Sequence, residues 1–222
     1  MFQAIRPATV REAAGEEAVR LLASCAREEE TARGFLLRDA AIPLDALPAL
    51  DLRDCRLENC RLTGVLAARP SLVETVLENC DLAGADLTGA VLRRVEFRRC
   101  RATGLLLARS LAQQVRLEEC VCRYLNLCAS EWKKAEFRGC DLSGASVQET
   151  RLAGVSFTGC SLAGAELFRT PLAGIDLTTD QLEGISLSGG ELRGAVVTSY
   201  QASELARLLG VIIRDDPDGA AP

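Results

Sequence analysis

From about Leu50 to Val197 the chain is written in fives, without one insertion or deletion. Stepping by five from Leu52 gives Leu57, Leu62, Ala67, Leu72 and Leu77, and the count runs on through Phe97, Leu117, Trp132, Phe137 and Phe157 to Val197; no position in this column is polar. A helix face repeats every 3.6 residues and a strand face every two, so a strict period of five fits neither. A chain whose every fifth side chain points the same way must turn a corner at each unit. Stacked turns then bury those side chains along a common axis.

The column two residues earlier agrees. It reads Cys55, Cys60, Val65, Pro70, Thr75, Cys80, Ala85, Ala90, Val95 and Cys100 and continues to Ala195, with Asp180 its one charged member. Residues two apart on an extended segment share a face, so both columns point inward. Two residues after the large apolar position the residue is often glycine, as at Gly64, Gly84, Gly89, Gly104 and Gly144, which suits a corner with positive φ. Cys60, Cys80, Cys100, Cys120, Cys140 and Cys160 recur every 20 residues, and Phe97, Phe137 and Phe157 share a second stack. Four units therefore make one coil.

Units such as CDLAG-ADLTG (Cys80 to Gly89) and CSLAG-AELFR (Cys160 to Arg169) resemble the A(D/N)LXX unit of pentapeptide-repeat proteins. The resemblance implies that family's fold, an all-β, right-handed quadrilateral β-helix, here with an N-terminal helical cap and a short C-terminal helix. About 7.5 coils at a spacing of roughly 4.8 Å make a rod near 36 Å long. The expected organisation is a helical cap segment over 1–45, the repeat body over 46–197, a C-terminal helix and strand over 198–213, and a disordered tail over 214–222.

Composition excludes several activities. The chain has no histidine, so Ser–His and Cys–His nucleophilic schemes and His-containing metal sites are out. Of ten cysteines, seven lie in the small inward column, where a reduced thiol acts as a small hydrophobe. No CxxC pair occurs, so packing is favoured over metal or redox chemistry. Cys122 reads as core, and Cys128 projects outward as the thiol most open to reaction. No nucleophile–base pair and no phosphate-binding glycine loop is present; no enzyme activity, catalytic residue, metal or cofactor is expected. No stretch is long and apolar enough to span a membrane, and residues 1–10 lack a signal-peptide core, so a cytoplasmic protein is expected.

Before the register, Thr9-Val10-Arg11-Glu12 has capping-box form. Val10, Ala14, Ala18, Leu21, Leu22 and Cys25 follow at helical spacing, predicting a helix from about 10 to 31, ended near Gly34, that covers the open end of the solenoid. Ile42-Pro43 and Leu47-Pro48 mark the entry. After the register, Thr198 to Gln201 forms a second capping box, with Leu205, Leu208 and Leu209 on the helix, Gly210 as its stop and Val211–Ile213 as one strand. This end, SYQASELARLLGVII, resembles the C-terminal helix of the quinolone-resistance (Qnr-type) members at Tyr200, Gln201, Ala202, Ser203, Leu208, Leu209 and Gly210. There the region makes a homodimer, so the resemblance implies dimerisation through Tyr200, Leu205, Leu208 and Leu209. It also implies a type II topoisomerase partner, DNA gyrase or topoisomerase IV, engaged by mimicry of duplex DNA.

Charge weighs against that mimicry. Between residues 50 and 199 there are 18 Lys+Arg and 19 Asp+Glu, a balanced body rather than an acidic one. Glu96, Arg116 and Glu136, like Glu131 and Arg151, stand 20 apart and are set to pair between coils. Basic residues do gather at Arg93, Arg94, Arg98, Arg99, Lys133, Lys134 and Arg138, as a solvated face or an anion patch. With no aromatics interleaved, direct nucleic-acid binding is not expected. Leu106 and Leu111 stand at outward positions, flanked by Val91 and Val121, while Leu105, Leu125 and Trp132 are oversized inside. An exposed apolar strip there would mark a contact surface; coils that bulge and bury the leucines are the structural alternative. Asp180 is expected to bond backbone N–H groups at a corner. The reading is a non-enzymatic protein-binding β-helix, with a topoisomerase-interacting protein and a general interaction scaffold as its two forms.

Overall fold

The computed structural model describes residues 4–43 and 50–214. In chain order they form β1 (Arg11–Ala14), α1 (Gly15–Arg27), β2 (Ala32–Arg33), β3 (Phe35–Arg38), β4 (Asp51–Arg53), β5 (Arg56–Glu58), β6 (Ser71–Glu78), β7 (Val91–Arg98) and β8 (Leu111–Glu118). Then come β9 (Glu131–Lys133), β10 (Glu136–Arg138), β11 (Arg151–Ala153), β12 (Ser156–Thr158), a 3₁₀ turn at Gly190–Leu192 and α2 (Ser199–Leu208). Every strand pairing is parallel, and from β2 onward the register is 20 residues, as in Leu52 with Leu72, Leu92 with Ala112 and Phe137 with Phe157. The chain is thus a β-solenoid with four faces. The first carries Val91 and Leu111, the second Val76, Glu96 and Arg116, the third Arg101, Val121 and Asp141, and the fourth Leu66, Asp86 and Leu106.

Corners explain the period. At almost every described corner the residue two after the large apolar one is left-handed even where it is not glycine, as at Glu74, Arg94 and Gln114. That conformation costs an L-residue roughly 1–2 kcal/mol, so it persists only because the coils above and below fix it. Both inward columns are buried almost throughout; Leu152, Leu187, Leu192, Ala195 and Val197 are partly open and Gly190 has left the column for the 3₁₀ turn. Phe137 stacks on Phe157 at 5.0 Å and Trp132 tilts against Phe137 at 5.5 Å.

The middle coils do not bulge. Leu105, Leu125 and Trp132 are fully buried, and the parallel register runs through them unbroken. Volume is balanced within the core: the large column shrinks to Ala102, Ala112 and Cys122 where its neighbours grow.

At the N-terminus the structure departs from the sequence expectation. The helix is shorter, Gly15–Arg27, and the Thr9–Glu12 capping box does not form, because residues 11–14 are strand β1 paired with β3. Val10 and Arg11 donate their N–H groups to Gly34 O at 2.8 and 3.1 Å, which satisfies them without a helix. Ala18, Leu22 and Ala26 of α1 are buried, as a cap over the open end requires. The repeat also begins one coil earlier: Ala32, Leu37 and Ile42 already keep the five-residue step and are buried, with Ala32 over Leu52 and Leu37 over Leu57. Leu47-Pro48 and the tail from Asp215 lie outside the described residues.

Ahead of β1, the arm reaches along the second face. The Ile5 N–H donates to Glu96 Oε1 at 2.6 Å, and Ile5, Val76 and Glu96 are all buried although the last two hold outward positions. At the C-terminus, α2 starts with the expected capping box, Thr198 with Gln201. Gln201 Nε2 also donates to Leu177 O and Asp180 O, both at 2.8 Å, tying the helix to the last coils. Val211–Ile213 is not a strand, since no described segment runs beside it to accept one; Ile212 is 84% exposed.

Candidate functional site

The outward apolar residues separate by face. Leu111 is 53% exposed on the first face and pairs with Val91 one coil before it, while Leu106 is half-buried on the adjoining fourth face. Leu66, exposed, stands two coils before Leu106 in the same column. These four border one edge of the rod, between the fourth and first faces, where Arg69, Gly89 and Arg109 follow one another at the corner. Val121 lies on the third face, opposite Leu111, and so is not part of this strip. The edge holds a groove of about 800 Å³ lined by Leu66, Arg69, Asp86, Thr88, Gly89 and Arg109. Arg69 lies across Gly89, where an added Cβ would sit 3.2 Å from Arg69 Cγ. Asp86 Oδ1 is taken by the Thr88 N–H at 2.9 Å.

Sequence reasoning missed Tyr124. The corner between the third and fourth faces reads Gly64, Gly84, Gly104, Tyr124, Gly144, Gly164, Gly184. Tyr124 folds down over Gly144, whose added Cβ would lie 2.7 Å from its ring, and remains 67% exposed beside Val121. One aromatic in a file of glycines was the available signal.

The basic cluster is largely matched by acids. Arg94 pairs with Glu74 at 3.2 Å, Lys133 with Glu131 at 2.7 Å and Arg138 with Glu136 at 2.9 Å, while Arg98 pairs with Glu96 and Arg99 with Glu78. Arg93 and Lys134 form no ion pair among the described residues. Arg116 meets Glu136 at 2.9 Å as the 20-residue spacing predicts, but Glu131 takes Lys133 on its own strand in place of Arg151. Pairs along a strand and pairs between coils together neutralise much of the face that seven basic residues in sequence suggest.

The C-terminal end is the other apolar surface. Leu205 is buried beneath α2, so it belongs to the cap, whereas Tyr200, Leu208, Leu209, Val211, Ile212 and Val196 are exposed. Between the helix and the last coil runs a groove of about 230 Å³ lined by Leu192, Val197, Ala202, Leu205, Ala206 and Leu209.

The ladder thiols are free and buried, and Cys60, Cys80, Cys100, Cys120 and Cys140 each donate to a backbone carbonyl of the preceding coil at 3.4–3.6 Å. Burial pushes the Cys55 thiol above its ordinary value, which keeps it protonated and inert. Asp180 does bond a backbone N–H, that of Cys160 at 2.7 Å, with its Oδ2 buried and unpartnered; burial raises its carboxyl above the usual range. Among the described residues no cluster of acidic and sulfur side chains has the geometry to hold a metal ion, and no helix is long and apolar enough to cross a membrane.

Two family models match the sequence: "Pentapeptide repeat region" over residues 75–147 and "Pentapeptide repeats (8 copies)" over 135–174. No curated protein matches it. Among solved structures, a trypsin-treated variant of QnrB1, a plasmid-mediated fluoroquinolone resistance protein, is 19% identical over 94% of this chain and 98% of that one, with a TM-score of 0.40. Full-length QnrB1 is 16% identical over 91% and 99%, with a TM-score of 0.36. The pentapeptide repeat protein Rfr23 from the cyanobacterium Cyanothece 51142 is 18% identical over 59% and 67%, with a TM-score of 0.19.

Proposed function

We propose that this chain, which is a pentapeptide-repeat protein, is a non-catalytic protein-binding rod that acts in the cytoplasm as a homodimer. The carrying observation is the exposure of large apolar side chains on a rod whose charges are otherwise mostly paired. Most of them lie at two places: the edge bearing Leu66 and Leu111, with half-buried Leu106 between them, and the C-terminal end bearing Tyr200, Leu208, Leu209, Val211 and Ile212. Contiguous exposed apolar surface on a monomer marks a contact site. Solenoids supply long rigid surfaces for that use. The ten free cysteines, six of them stacked one coil apart, support a reducing compartment.

A type II topoisomerase is the partner that the C-terminal sequence resemblance suggests. The paired ladders of the second face weigh against imitation of duplex DNA, so contact would run through the apolar edge. The test is a DNA gyrase supercoiling assay with added protein, with and without a fluoroquinolone. Inhibition or drug protection at micromolar protein, lost in Leu106→Asp/Leu111→Asp, supports this partner. No effect at tenfold excess removes gyrase and leaves a scaffold for another protein.

A further inference from the structure

The fourth–first edge offers more than apolar surface. Along the basic cluster of the first and second faces most arginines have an acid beside them, yet Arg69 and Arg109 in the groove and Arg93 at its border form no ion pair among the described residues. The acid lining the groove is Asp86, half-buried, and its Oδ1 already accepts the Thr88 N–H. The edge is therefore net cationic and apolar at once. Its spacing is set by the coils: Leu66 to Leu106, and Arg69 to Arg109, each span two coils, about 9.6 Å. Residues seven apart on an α-helix are about 10.5 Å apart.

Resting on the protein-binding reading above, we propose that this edge receives an acidic amphipathic helix of a partner protein. The helix lies along the rod axis, its apolar side chains against Leu66, Leu106 and Leu111 and carboxylates two turns apart against Arg69 and Arg109. An added strand has no place there, because the coil backbones already bond one another across this edge: Leu106 N–H to Ala85 O, Gly89 N–H to Ala108 O and Leu111 N–H to Ala90 O. Phosphate backbones would use the arginines but gain nothing from the leucines, and no aromatic platform for bases accompanies them.

The probe is a synthetic helical peptide with leucines at i, i+3, i+4 and i+7 and flanking glutamates seven apart, measured by fluorescence anisotropy on the full chain. Companions carry lysine in place of glutamate, or the same residues scrambled; single- and double-stranded oligonucleotides complete the set. Circular dichroism confirms that each protein variant is folded. The expected result is micromolar binding of the glutamate peptide alone, weakened about tenfold or more by Arg69→Glu/Arg109→Glu, which in turn favours the lysine peptide. Unchanged affinity in that variant, with binding lost in Leu106→Asp/Leu111→Asp, overturns the acidic partner while the apolar contact stands. Equal binding of the scrambled peptide, preference for an oligonucleotide, or no peptide bound at about 100 µM also overturns it. Indifference to the leucine variant sinks both readings.

Discussion

At the scale of single residues the core is apolar and chemically quiet, and its few polar members are the informative ones. Eight of the ten cysteines are buried, leaving Cys25 and Cys128 half-exposed. Burial, then the charges of Glu30 and Glu28, raise the Cys25 thiol and slow its reaction. Alkylation of the native protein should therefore label Cys128 first, Cys25 second and the other eight only on unfolding, read by peptide mass spectrometry; early labelling of the ladder would mean that the coils open. Asp180 gives a pH dependence. Its folded-state pKa lies above the unfolded value, so the folded chain holds the extra proton, and stability falls as pH rises through that window. Asp180→Asn keeps the acceptor for the Cys160 N–H without the buried charge. It should melt a few degrees higher than wild type at pH 7, with the gap closing toward pH 4; a gap independent of pH would refute the assignment. Leu105 beside Ala102 is a volume pair, so Leu105→Ala should cost about 2–5 kcal/mol, partly recovered by adding Ala102→Leu.

At the scale of elements, what was legible in the sequence was whatever repeats. The five-residue step and the 20-residue cysteine ladder report a corner and a coil that recur in the same environment, so local pattern and tertiary packing agree. The termini have no such redundancy. Thr9 to Glu12 looks like a helix start, but Gly34 and β3 offer those backbone groups a strand partner, and tertiary pairing wins over a local cap. Val76 and Glu96 look like solvent-facing residues, and only the structure shows the arm that covers them. The candidate site was half legible: Leu106, Leu111 and Val91 stood out as apolar where charge was expected, whereas Leu66 and Tyr124 needed the faces assembled before their neighbours were known. The arm itself is testable. Among the described residues its docking rests on Ile5 and one hydrogen bond to Glu96, so Ile5→Asp should cost roughly 1.5–3 kcal/mol, since the coils can stay closed without it. Hydrogen exchange should then show lost protection at Ile5 and unchanged protection in β7; a collapse of β7 protection would mean that the arm holds the coils together.

At the scale of the whole molecule, the two ends of the rod are unlike. Strand β1 and α1 cover the N-terminal end, where among the described residues Val10 is the large apolar side chain left exposed. The C-terminal end is covered by α2, and among the described residues Tyr200, Leu208, Leu209, Val211 and Ile212 remain exposed around it. A two-fold contact that buries such a patch on both copies is the commonest way for a chain to hide it. It would present two equivalent apolar edges, one on each arm of a rod roughly 80 Å long. The measurement that bears most directly on this account is the mass in solution, by light scattering across a concentration series, of the wild type and of Leu209→Asp/Ile212→Asp. The account predicts a particle of twice the 23.8 kDa chain for the wild type and a folded single chain for the variant. A wild type that stays a single chain at tens of micromolar, or a variant that still pairs, would contradict it.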